Sequence, residues 1–166
     1  GIVVEIDVHN DLHKYDQFGP LKGLEYQKNL ERLAFTAGGR SQVAPAQRLT
    51  DFVEGRLSNS LNDCSYQPGL KSAPLHSLLP KFIGGRLRKG FEAFGRKMKG
   101  YYTEEANIVG VESRTSSPVS IPRNEQLQHT QISNLYPCGE GGGYAGGIIS
   151  AAMDGERCAE AATKNL

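Results

Sequence analysis

The chain has no stretch approaching the ~20 apolar residues that a membrane-crossing helix needs. Cysteine is sparse: Cys64, Cys138 and Cys158 are odd in number and far apart. They form no disulfide framework, and no C-x-x-C pair offers zinc or redox chemistry. Such usage suits a reducing compartment, so cytoplasm is expected. The N-terminus lacks the basic region and apolar core of a secretory signal. It opens on Gly1-Ile2-Val3-Val4 without methionine, which reads as a piece of a longer protein. No G-x-S-x-G elbow is present, which counts against an α/β-hydrolase. Between Arg123 and Arg157 there is no lysine or arginine at all.

Glycine, by contrast, is abundant. The 166 residues hold 20 glycines, about 12% against a usual ~7%. There is no G-x-y period, so the chain is not collagenous. Apolar runs recur throughout, so it is not compositionally disordered. Six of the 20 glycines fall between Gly139 and Gly147. Net charge is +1, but Lys81 to Lys99 carries seven basic residues and one acid, Glu92.

Strand-like and helix-like segments alternate, which predicts a mixed α/β or α+β fold. Residues 2–9 are rich in β-branched residues and read as a strand. Pro20 begins a helix with Leu21, Leu24, Leu30, Leu33 and Ala37 on one face, ended by Gly38-Gly39. Residues 45–54 are expected to form a short helix, and 55–79 to be irregular. From Pro80, the spacing of Ile83, Leu87, Phe91, Phe94 and Met98 predicts a second long helix, capped by Gly100. Residues 107–113, 118–122 and 132–138 read as strands, and Ile148 to Ala162 as a helix.

The last of these strands, the glycine segment and the final helix together suggest a ligand loop. Glycine lets a ligand touch the backbone, and the first N–H groups of a helix attract negative charge. A Walker A loop needs Gly-Lys-Ser/Thr, which the absence of lysine excludes. Gly141-Gly142-Gly143-Tyr144-Ala145-Gly146 fits G-x-G-x-x-G, a weak pattern alone. The acid-ended strand that should follow about 20 residues later does not fit before Leu166, so the first βαβ unit of a dinucleotide fold is not expected here. Glu140 would repel phosphate but accept hydrogen bonds from hydroxyls, which suits a polyol such as a ribityl chain. A tight strand–helix connection without a ligand explains the same glycines.

The segments Glu112-Ser113-Arg114-Thr115-Ser116-Ser117-Pro118-Val119, Ile121-Pro122-Arg123, Leu135-Tyr136-Pro137-Cys138-Gly139-Glu140-Gly141 and Gly143-Tyr144-Ala145-Gly146-Gly147-Ile148 resemble the C-terminal part of a family of bacterial FAD-dependent dehydrogenases. Gln42 to Leu49 and Ser65 to Gly69 also resemble it. The likeness covers most of residues 1–163 and is densest from 108 to 160. It implies a substrate-side domain over residues 1–113 and, over 114–166, the C-terminal part of the FAD-binding domain. It implies that Glu140 meets the ribityl hydroxyls. Gly139, Gly141, Gly142, Gly143, Tyr144, Ala145, Gly146, Gly147 and Ile148 would approach the flavin, with Arg114, Thr115 and Ser116 near the cofactor. The adenine side of the FAD site would lie elsewhere, so this piece alone is not expected to bind FAD tightly or to turn over.

Other residues have blander readings. The basic helix at 80–100 reads as a solvated amphipathic face; attraction of an anionic substrate is the other reading. Its Phe91 and Phe94 lie on the apolar side, so nucleic acid is not expected. Asp7, His9, Asp11 and His13 would share a face on a continued strand, but Asn10-Asp11 favours a turn, and no metal is expected. His76 and His129 are isolated. Cys138 is expected to be a small buried residue. The leading expectation is the C-terminal portion of a FAD-dependent oxidoreductase acting on an unknown small molecule, with no catalytic acid or base assigned. The alternative is a non-catalytic scaffold domain using helix 80–100 as its partner surface.

Overall fold

A computed structural model describes residues 1–164; the last two positions of the 114–166 segment lie outside the described residues. The fold is mixed α and β, as expected. It divides into two compact units, one of residues 1–13 and 28–113, the other of residues 14–27 with 114 onward.

The first unit is built on a three-stranded sheet. Strand β1 (Ala44–Arg48) is central, parallel to β2 (Leu70–Ser72) and antiparallel to β3 (Asn107–Val109). The expected helix over 45–54 is therefore half strand: only α2 (Leu49–Glu54) is helical. Pro45 has no N–H to donate, yet its carbonyl still accepts from Gly110 at 3.0 Å, so neighbours on both sides override local helix preference. The 55–79 stretch, expected to be irregular, contains β2 and the short helix α3 (Leu75–Leu78).

Helix α4 (Lys81–Lys97) follows the expected periodicity. Leu49, Phe52, Leu75 and Phe91 form the buried core, with Leu87 and Ile108 packed against it. Phe52 and Phe91 meet edge to face at 5.8 Å. Phe94 packs edge to face on Tyr101, while Met98 is exposed because the helix has ended before it. Gly55 closes α2 in the left-handed conformation, φ 73°, which glycine adopts without strain.

Residues 2–9 form no strand. The Asp7 carboxylate accepts the His9 and Asn10 N–H groups and closes a turn, which removes the alternating face that Asp7, His9, Asp11 and His13 would share. Asp11 instead pairs with Arg86 of α4.

Helix α1 (Lys22–Ala37) forms close to where expected, but buries Tyr26, Leu30 and Ala34, an i, i+4, i+8 row, and leaves Leu33 exposed; Leu21, expected on the same face, precedes the helix and is exposed. In the second unit, a 3-10 segment over His13–Leu21 is followed much later by α5 (Ile148–Thr163). The expected strands at 118–122 and 132–138 do not form; an isolated bridge joins Arg123 to His129. Pro118, Pro122 and Pro137 each remove a ladder donor, and no strand among the described residues lies alongside. The glycine segment is thus entered from irregular chain rather than from a strand.

Candidate functional site

The glycine segment of the second unit is held by a buried ion pair. Asp154 points inward from α5 and takes both Nη1 and Nη2 of Arg123, at 2.9 and 2.7 Å. Nη1 also donates to the Pro137 carbonyl at 2.7 Å. The same Asp154 Oδ2 accepts the Gly139 N–H at 2.9 Å. The residues on both sides of Cys138 are therefore tied to one carboxylate–guanidinium pair. The Tyr144 ring lies 3.6 Å from the guanidinium carbon, a cation–π contact, and its hydroxyl donates to Ile121 O at 2.6 Å. The Arg123 guanidinium and then the Gly139 N–H hold the Asp154 carboxyl below the usual carboxylate range, against an opposing push from burial.

Within the segment, the glycines differ in what requires them. Gly143 has φ 82°, and a Cβ there would lie 2.7 Å from Val119 O. Gly142 is buried, its added Cβ would sit 3.0 Å from Cys138 N and O, and its carbonyl accepts from Ile121 N. Gly139 is buried with φ 64°. Gly141 is exposed, and nothing lies within 4 Å of where its Cβ would be. Gly142 and Gly143 thus serve packing, whereas Gly141 leaves open backbone.

The expected site residues at 114 and 140 meet. The Arg114 guanidinium donates to the Glu140 carboxylate, both side chains about two-fifths exposed. Thr115 and Ser116 are exposed, and the Thr115 carbonyl lies 3.8 Å from where a Cβ on Gly146 would be. Ala145 is half-buried, Gly147 precedes α5, and Ile148 is 91% exposed. Ser150 Oγ caps the Gly147 N–H at 3.1 Å. The N–H groups of Ile148 and Ile149 have no acceptor among the described residues, as expected for the first turn of a helix. The site offers a carboxylate, a guanidinium, two free hydroxyls and open amides, which is a donor and acceptor set for a polyol or a flavin edge.

A family described as "FAD-dependent protein, C-terminal domain-like" matches residues 1–115. The chain belongs to this family. It is also 44% identical over 143 residues to an uncharacterized protein of Clostridium beijerinckii, covering 85% of this chain. That alignment covers more of the chain than the family match and so extends past residue 115. The chain spans only 27% of that relative's length. The family match ends just after Arg114, so Gly139 to Ile148 lie beyond it.

Sequence reasoning missed the Arg123–Asp154 pair. One signal was present: Arg123 is the last basic residue before the long gap, and Asp154 with Cys158 repeats at i, i+4 along α5. Cys138 does not take the buried position expected of it. Cys138 is exposed, and Cys158 is buried beneath Arg123 at 3.3 Å from Nη1. Cys138 is exposed between the buried Pro137 and Gly139, and its thiol still reaches that of Cys158.

Proposed function

We propose that this chain is the C-terminal part of a FAD-dependent oxidoreductase and supplies the ribityl and flavin-edge contacts of its cofactor site. Family membership supports flavin dependence of the longer protein. The observation that carries the local assignment is the exposed Arg114–Glu140 pair beside the open backbone of Gly141. Paired carboxylate and guanidinium groups bring no net charge to a cofactor, yet the carboxylate keeps lone pairs for ribityl hydroxyls. The open amides at the start of α5 favour the electron-rich edge of a flavin.

Bound flavin supplies the redox chemistry, moving a hydride or an electron pair to or from a small-molecule substrate. This chain's residues would bind and orient it. Glu140 would accept ribityl hydroxyls, Gly141 would admit close backbone approach, and Arg123 with Asp154 would fix where the segment sits. Residues 1–113 would form the substrate side. The test is reconstitution of the intact, longer protein with FAD. A bound flavin visible-absorbance band is expected; its absence from folded protein would contradict the reading.

A further inference from the structure

The second unit brings together two cysteines that the flavin reading does not use. Cys138 and Cys158 lie far apart in sequence, yet the Cys138 thiol meets that of Cys158 side chain to side chain. A disulfide needs such a meeting of sulfurs. The backbone explains the approach. Pro137 O lies 3.8 Å from Cys158 Sγ and accepts its S–H, and Cys138 is the next residue. On the other side, the Gly139 N–H is bound to Asp154, one turn before Cys158 on α5. Both neighbours of Cys138 thus hold it against the helix that carries Cys158.

The two thiols differ in access. Cys138 is exposed, whereas Cys158 is 3% exposed. Arg123 Nη1 donates to Cys158 Sγ at 3.3 Å. Burial holds the Cys158 thiol above its ordinary pKa, opposed by the Arg123 charge. Cys158 is therefore protonated and shielded in the resting chain, with a guanidinium in place to stabilise its thiolate as that forms. An accessible sulfur in contact with a buried one that carries a cation is the arrangement of an attacking and a resolving cysteine.

We infer that Cys138 and Cys158 form a redox-active dithiol that a small-molecule disulfide oxidises to an intramolecular disulfide. The Cys138 thiolate attacks one sulfur of the small disulfide, and the S–S bond of that molecule breaks. A mixed disulfide forms on Cys138, and one small thiol leaves with the proton that Cys138 gave up. Cys158 then attacks the Cys138 sulfur while the Arg123 N–H supports its developing charge. The mixed disulfide breaks, the second small thiol leaves with the Cys158 proton, and the Cys138–Cys158 bond closes. The dithiol is oxidised, and the small disulfide is reduced to its thiols. A dithiol reductant runs the exchange backwards. The inference is independent of the flavin reading, since neither the exchange nor its test involves a flavin.

The experiment treats the reduced full chain with oxidised glutathione and maps its peptides by mass spectrometry without reduction. A linked pair of Cys138 and Cys158 peptides, separated by dithiothreitol, is expected. Cys64 has no other cysteine in its unit, so it should stop at the mixed disulfide with glutathione and serves as the internal comparison. Cys158→Ser should hold glutathione on Cys138 and, at equal free glutathione, release it about tenfold or more slowly than the wild type. Cys138→Ser should leave Cys158 unmodified, because the exposed sulfur is the way in. Circular dichroism reports whether each variant is folded, and the wild-type map decides the question without either. Wild-type Cys138 that accumulates as the glutathione adduct beside a free Cys158, or that stays unreacted while Cys64 is modified, would overturn the inference.

Discussion

Arg123 and Asp154 form a two-pronged ion pair with less than a tenth of either side chain exposed. Removing one partner leaves the other charge buried and the Gly139 N–H without its acceptor. Asp154→Ala is therefore expected to cost about 3–5 kcal/mol. Urea unfolding followed by circular dichroism checks this, with a lowered midpoint at unchanged slope as the outcome.

The same pair sets part of the acid sensitivity. The folded Asp154 carboxyl lies below its unfolded value of 3.8. Its contribution is fully present above that value and is lost as pH falls through the lower, folded one. Asp154→Asn should be less stable at neutral pH, and the gap to wild type should narrow below about pH 4. A constant gap across the acid limb would show that the charge is not what Asp154 contributes.

Gly143 and Gly141 should respond oppositely to alanine. At Gly143 both the positive φ and the 2.7 Å approach to Val119 O oppose a Cβ, so a loss of about 2 kcal/mol or more is expected. At Gly141 neither applies, and thermal melting should match wild type. If Gly141→Ala melts as early as Gly143→Ala, the division between packing glycines and an open one is wrong.

The exposed Arg114–Glu140 pair should matter little to folding. Pairs with this exposure contribute about 0–1 kcal/mol. Glu140→Ala and Arg114→Ala should each leave the unfolding midpoint of this chain nearly unchanged. A large loss would make the pair a structural element rather than a ligand site.

Thiol chemistry should rank the cysteines. Cys64 and Cys138 are exposed, whereas burial pushes the Cys158 thiol up and reduces its thiolate. Brief iodoacetamide treatment with mass spectrometry should label Cys64 and Cys138 and spare Cys158 until the chain unfolds.

The helices were legible where periodicity was strong. Ile83, Leu87 and Phe91 announced α4 because one face packs on Phe52 and Leu75, and that face is a local pattern. The sheet was hidden for the opposite reason. Strand β1 contains Pro45 and only five residues, and its identity comes from β2 and β3, which lie far along the chain. Residues 2–9 carried strand propensity with no neighbouring strand, and the Asp7 side chain decided their shape. At the site, Glu140 was visible as an acid beside glycine and Arg114 through the family resemblance, but their pairing spans 26 positions. The Arg123–Asp154 contact likewise spans 31 positions: the gap in basic residues and the Asp154–Cys158 spacing mark each residue singly but do not pair them.

The central claim is that Glu140 and the backbone of Gly141 meet the flavin. The most direct measurement is the FAD dissociation constant of the intact, longer protein, compared with its Glu140→Ala and Gly141→Ala variants. Glu140→Ala should bind FAD about tenfold more weakly, the size of a lost charge-assisted hydrogen bond, and Gly141→Ala should also bind more weakly because its Cβ stands between the ligand and the backbone, both at unchanged melting temperature. FAD affinity equal to wild type in both variants would contradict the claim.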